Sequence, residues 1–147
     1  MFEVLELEKA VVLLAGLFIS AWIDLKREII YVPLIVCMGI IGVICHIFLQ
    51  ENTIWNLMSG MLIGVILLLG GIWSGEKIGY GDGVIFIMTG IFLGFWGNML
   101  LLVIASILAG VTCTGLLLAH KKCKEEQIVF VPFIFISYVI LLILTVW

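Results

Sequence analysis

Long apolar runs separated by short polar breaks organise this chain. The first run is Ala10 to Ile23, closed by Asp24 to Glu28 (DLKRE). The second is Ile29 to Leu49, closed by Gln50, Glu51 and Asn52. The third is Ile54 to Trp73, closed by Ser74 to Gly83 (SGEKIGYGDG). Val84 to Ala119 is then 36 residues without an acidic or basic side chain, too many for one ordinary span of about 20 residues. Gly94, Gly97 and Asn98 are turn formers inside it, which puts a split near Trp96 to Asn98. The charged stretch His120 to Glu126 follows, and the last run is Ile128 to Trp147.

A backbone in lipid must satisfy its own amides, so each run is predicted to be a helix. The pattern predicts an all-α polytopic membrane protein, a single domain over residues 1–147 with six transmembrane helices. Six helices of about 20 residues consume about 120 residues, so no soluble domain or linker is expected. The first run follows Glu3, Glu6, Glu8 and Lys9. A secretory leader opens on a basic segment, so this run is read as a retained helix.

Composition narrows the class further. The 147 residues are 65% hydrophobic and only 12% charged, with a mean hydropathy of +1.38. A soluble fold of about 150 residues leaves roughly 30% of its unfolded surface in water, and this chain lacks polar residues to cover that much. Its net charge of −3 carries no basic footprint for nucleic acid. The bilayer is the expected partner, with the cell membrane as location.

The seven cations fix an orientation. Lys26 and Arg27, Lys77, and Lys121, Lys122 and Lys124 fall in the breaks after helices one, three and five, while Lys9 lies in the N-terminal segment. The breaks after helices two and four carry no Lys or Arg. By the positive-inside rule the three basic breaks are cytoplasmic, and both termini are then extracytoplasmic.

Of ten acidic residues only two are aspartates, Asp24 and Asp82. Asp24 ends the first run and Asp82 precedes the fourth, so both are expected at the cytoplasmic edge, at similar depth, although 58 residues apart. The runs beside them are short: Ala10 to Ile23 has 14 residues, about 21 Å of a core about 30 Å thick. That deficit draws the aspartates just inside the interface, into a wet cavity lined by protein, where ionisable groups are functional candidates. Two neighbouring carboxylates cannot both ionise easily, so one pKa falls and the other rises. The ionised member can take a proton from water while the protonated one hydrogen-bonds a carbonyl. The glycines of Gly79-Tyr80-Gly81-Asp82-Gly83 allow close approach of another backbone. The plainer alternatives are an Asp cap on helix four and an interfacial charge in the DLKRE loop.

Gly79-Tyr80-Gly81-Asp82 resembles the GxGD motif of the type IV prepilin peptidases and their preflagellin peptidase relatives. Asp24, followed by Lys26, Arg27 and Pro33, resembles the first catalytic aspartate of that family. Val131-Pro132-Phe133 resembles its closing proline-phenylalanine element. The resemblance implies an intramembrane aspartic endopeptidase, working without a cofactor or metal. It would cleave the basic leader of a pilin-like precursor, before an apolar helix, on the cytoplasmic side. Asp24 and Asp82 would be the catalytic pair, and Gly79, Gly81 and Gly83 would shape the site. Two positions depart from the pattern. Val84 stands where many members have lysine, and Pro33 is nine rather than seven residues after the first aspartate. Larger members carry paired CxxC motifs in a region that accompanies methylation of the new N-terminus. This sequence has no CxxC, so cleavage without methylation is expected.

Other features admit plainer roles. Cys37, Cys45, Cys113 and Cys123 have no metal spacing. His46 and His120 are expected near opposite faces. Gly60-x-x-x-Gly64 and Gly90-x-x-x-Gly94 permit close packing, within the bundle in the first place and in a homodimer as the alternative. Trp22, Trp55, Trp73, Trp96 and Trp147 fit an aromatic belt. Lys26, Arg27 and Lys77 set orientation and can give the aspartates electrostatic support. A second function also fits intramembrane carboxylates, a small proton-coupled transporter or channel. Against it, both acids lie at one edge and no repeat is visible, whereas transporters place charge near the midplane of repeated halves. A third is a non-cutting escort of pilin-like proteins.

Overall fold

The computed structural model of the chain describes residues 2–27, 31–48, 54–73, 80–118 and 130–146. They form five helices and no strand: α1 (Phe2–Arg27), α2 (Val32–Phe48), α3 (Ile54–Trp73), α4 (Tyr80–Leu118) and α5 (Val131–Val146). One stretch, Tyr80–Gly115, is long and apolar enough to cross a membrane, and Val32–Ile47, Leu57–Trp73 and Val131–Thr145 are shorter apolar helices. The third expected run matches α3 residue for residue.

The other boundaries differ for identifiable reasons. α1 has 26 residues, so its short apolar run is the middle of a helix with polar turns at both ends, and Asp24 lies within the last turns of that helix. α2 starts at Val32 and α5 at Val131, later than the apolar runs suggested. Both starts read aromatic-Val-Pro, Tyr31-Val32-Pro33 and Phe130-Val131-Pro132, and they hold the only two prolines of the chain. The Tyr31 carbonyl accepts from Leu34 N at 3.0 Å, and the Phe130 carbonyl accepts from Phe133 N at 3.0 Å. Proline suits a first turn, where its missing N–H has no intrahelical partner to lose.

The expected split near Trp96 to Asn98 is corrected to Gly94. Residues 96–98 are helical, and the break is Gly94 itself, at φ 66° and ψ −170°, a combination open essentially to glycine alone. Asn98 Nδ2 donates to the Phe86 carbonyl at 2.9 Å. Twelve residues of straight helix would hold those groups about 18 Å apart, so the arms 80–93 and 95–118 fold back on each other. The long helix is a hairpin with a one-residue hinge.

Asn98, fully buried, locks that hairpin. Its amide also donates to the Gly60 carbonyl of α3 at 3.0 Å, and its Oδ1 accepts from the Thr89 hydroxyl at 2.8 Å. The α3 contact is possible because glycines meet backbone there. A Cβ on Gly60 would strike the Gly90 carbonyl, and one on Gly64 would strike the backbone at Ile87. The small-residue motif on α3 is therefore occupied inside the bundle.

The interior is a cluster including Leu13, Leu17, Phe86, Leu101, Ile134 and Tyr138. Tyr138 donates its hydroxyl to the Ala10 carbonyl at 3.2 Å, tying α5 to α1. Large apolar side chains such as Ile47, Val111 and Leu144 face outward, and Trp73 is 94% exposed. Trp22, Trp55 and Trp96 are exposed too.

Candidate active site

Among the described residues of α1, the buried side chains beyond glycine are Leu13, Leu17, Ala21 and Asp24, spaced by four, four and three residues, and Gly16 beside Leu17 is buried too. That is one face of a helix, and the aspartate is its last inward position. Asp24 is only 6% exposed, whereas Leu25 and Trp22 beside it are exposed. A lone interfacial charge in a loop does not fit this placement.

Asp82 is placed by the same logic. It lies in the first turn of α4 and is half-buried. Phe86 and Thr89 continue its face and are fully buried. With the helix beginning at Tyr80, Asp82 is inside the first turn rather than at the cap position. Asp24 near the end of α1 and Asp82 in the first turn of α4, 58 residues apart in sequence, lie at the same end of the bundle. The end of α1, the start of α4 and the start of α5 share this end of the bundle. The Phe86 and Phe130 rings meet there at 6.5 Å, one turn from Asp82.

The remaining expected site residues divide. Gly81 is half-buried beside Asp82. Gly83 faces α3, and a Cβ there would lie 2.9 Å from Leu68 Cα, so its small size lets α3 close on the arm that carries the aspartate. Gly79 and Lys77 lie outside the described residues, as does the side chain of Arg27. Lys26 is exposed, with its ammonium 5.6 Å from the centre of the Trp22 ring. Residues two apart on a helix do not face each other, so Lys26 and Asp24 look in different directions. Among the described residues no cluster of His, Cys, Asp and Glu could hold a metal ion.

The sequence profile of the type IV leader peptidase family matches residues 11–115, a stretch that contains both aspartates and the hairpin. The chain belongs to the type IV leader peptidase family. Type IV leader peptidases are membrane-associated proteases that act on pilin-like precursors, which gives a peptidase meaning to paired carboxylates at a bundle end. α5, with its Val131-Pro132-Phe133 element, lies beyond the matched residues. No curated protein and no solved structure matches the chain.

Asn98 and Thr89 hold the arm bearing Asp82 against its partners, and neither stood out in the sequence as more than a turn residue or an apolar neighbour. The available signal was an Asn in the middle of 36 residues without charge, where an unpaired amide is expensive.

Proposed function

We propose that this protein is an intramembrane aspartic endopeptidase that removes the leader of a pilin-like precursor, with Asp24 and Asp82 as its catalytic pair. The observation that carries the reading is the buried Asp24, on the inward face of α1, at the end of the bundle where α4 begins with Asp82 in its first turn. Family membership supports the peptidase class.

The two carboxylates share one proton, because close like charges resist double ionisation. The ionised aspartate takes a proton from a water molecule, and the oxygen of that water bonds to the scissile carbonyl carbon. The protonated aspartate hydrogen-bonds the carbonyl oxygen as charge develops on it. The C–N bond then breaks as a proton passes to the leaving nitrogen, and the pair returns to its starting state. Gly81 beside Asp82 leaves room for the extended backbone of a substrate.

The protein crosses the plasma membrane six times, twice through the arms of α4, with both termini extracytoplasmic and the aspartates at the cytoplasmic edge. A basic leader and an apolar helix are the expected marks of its precursor.

A co-expression cleavage assay tests the reading. A pilin-like precursor with a basic leader ending in glycine is paired with wild type, Asp24→Asn and Asp82→Asn, and followed by gel shift. Cleavage by wild type alone is the expected result. Turnover retained in either variant, with both inserted and folded, would remove the pair from catalysis.

A further inference from the structure

α2 and α3 follow each other in the chain, joined by residues 49–53. Helices joined by so short a break usually pack together. These two do not: among the described residues, no Cα of α2 comes within 8 Å of one in α3. Both pack instead on the first arm of α4, residues 80–93. A Cβ on Gly64 of α3 would strike Ile87, and one on Gly39 of α2 would lie 3.7 Å from Ile91 Cδ1. That arm is the centre of the bundle, with Ile85, Phe86, Met88 and Thr89 at most 2% exposed. Around it α2 touches α1, α1 touches α5, and α5 and α3 both touch α4. The ring of helices about the arm that carries Asp82 is therefore open between α2 and α3.

The opening has depth. At the hinge end both helices line one cavity of about 320 Å³, His46 from α2 and Leu57 from α3, with Ile91 and Gly94 of α4. Helical spacing gives the edges that face each other across the opening. On α2, Gly39 and Gly42 face α4, and Met38 lies against Gly16 of α1. Val36 and Val43 are on the edge away from Met38, toward α3. On α3, Met61 and Leu68 are four and eleven residues on from Leu57 and share its edge. The floor is the arm itself. Val84, Ile87 and Ile91 are three and four residues apart, and Val84 and Ile87 are only half-buried. These walls and this floor are apolar.

Such a cleft has the shape and the chemistry for one more apolar helix. From the level of Asp82 to Gly94 it runs twelve residues, about 18 Å. We propose that it holds the apolar helix of the precursor, parallel to the arm, with its N-terminal end at the aspartates. This rests on the peptidase reading and names the surface that presents the substrate. The cleft is continuous with the end of the bundle where the bond is cut, and the precursor helix begins next to that bond. The leader then leaves the cleft at the first turn of α4. Gly81, three residues before Val84, lies on the cleft side of that turn, and Asp82 is about 100° further round. An extended backbone passing over Gly81, which has no side chain, reaches Asp82 on the inner face.

The test uses the full chain co-expressed with the precursor of the cleavage assay. Photoreactive benzoylphenylalanine is placed at Val36, at Met61 and, as a control on an exposed side of α2 away from the cleft, at Ile41. An Asp24→Asn background keeps the precursor whole. Capture of the precursor is expected from Val36 and Met61 and not from Ile41. In the active chain, Val36→Trp narrows the cleft and should raise KM by at least about tenfold with kcat little changed. Ile41→Trp should leave both alone, and melting curves establish that the two variants are folded. Cleavage by wild type with equal capture at all three positions, or with an unchanged KM in Val36→Trp, would overturn the cleft and leave the peptidase reading standing. Capture of a second copy of this chain in place of the precursor would overturn it in favour of a dimer interface. No cleavage of any precursor by wild type would remove the peptidase reading and this proposal together.

Discussion

At the scale of single residues, the sharpest expectations concern the aspartates and Asn98. Replacing one carboxylate by an amide keeps size and hydrogen bonding but removes the acid or the base. Acid–base contributions are typically about a hundred- to ten-thousandfold, so Asp24→Asn and Asp82→Asn should each lower cleavage by at least that range, measured as initial rate at equal amounts of inserted protein. A proton shared by the proposed pair would also set a pH profile. At low pH both carboxyls are protonated and no base remains; at high pH both are ionised and no acid remains. Rate against pH should therefore be bell-shaped, its two limbs belonging to the pair. A flat profile across both limbs would contradict proton sharing. Asn98 tests a different quantity. Its side chain makes three buried hydrogen bonds, to Gly60, Phe86 and Thr89. Bonds of this kind between membrane helices average about 0.6 kcal/mol each, so Asn98→Ala should cost about 2 kcal/mol, read as a lower unfolding midpoint in detergent.

At the scale of elements, the hinge and the glycine seam carry the fold. Gly94→Ala forces a Cβ into a backbone region that L residues avoid, with an expected cost of about 1–3 kcal/mol. Gly64→Val should be at least as damaging, about 1–3 kcal/mol from overpacking, because the obstruction is backbone at Ile87 rather than a side chain that can swing away. Gly110 is the matching control. A Cβ there meets nothing within 4 Å, so Gly110→Ala should be neutral or stabilising by up to about 1 kcal/mol from helix propensity. Thermal unfolding of the three variants side by side would order them; equal midpoints would refute the seam. These elements also show what the sequence could reveal. The apolar runs exposed α3 residue for residue and put Asp24 at the end of the first run, whereas its inward face shows only in the burial of Leu13, Leu17 and Ala21, because a run apolar on all sides has no stripe to read. The hinge was misplaced by a few residues because Gly94, Gly97 and Asn98 emit the same turn signal. Only packing distinguishes a glycine that must bend from an asparagine that bonds across helices. The start of α1 was hidden for another reason: hydropathy reports contact with lipid, whereas Glu3 to Lys9 are helical without being apolar.

At the scale of the whole molecule, the parity of crossings decides where everything faces. The hinge at Gly94 returns the chain toward the level at which α4 began, since Asn98 reaches back to Phe86. The arms are unequal: 80–93 spans about 21 Å, and 95–118 about 36 Å, enough to carry the chain to the basic stretch Lys121 to Lys124. If α4 crosses twice, Lys77 and that basic stretch lie on one side with Lys26 and Arg27, as charge bias favours. If it crossed once, the chain would traverse five times, its ends would face opposite sides, and Lys121 to Lys124 would be left outside. Reporter fusions separate the two. An alkaline phosphatase joined after Trp147 should be active, and a green fluorescent protein joined there should be dark, with the same pair reversed when inserted at Lys122. Active phosphatase at Lys122 would mean that the Gly94 hairpin does not return across the membrane. The cation count would then no longer explain the orientation, and the aspartates would lose their assignment to the cytoplasmic edge where a leader peptide is offered.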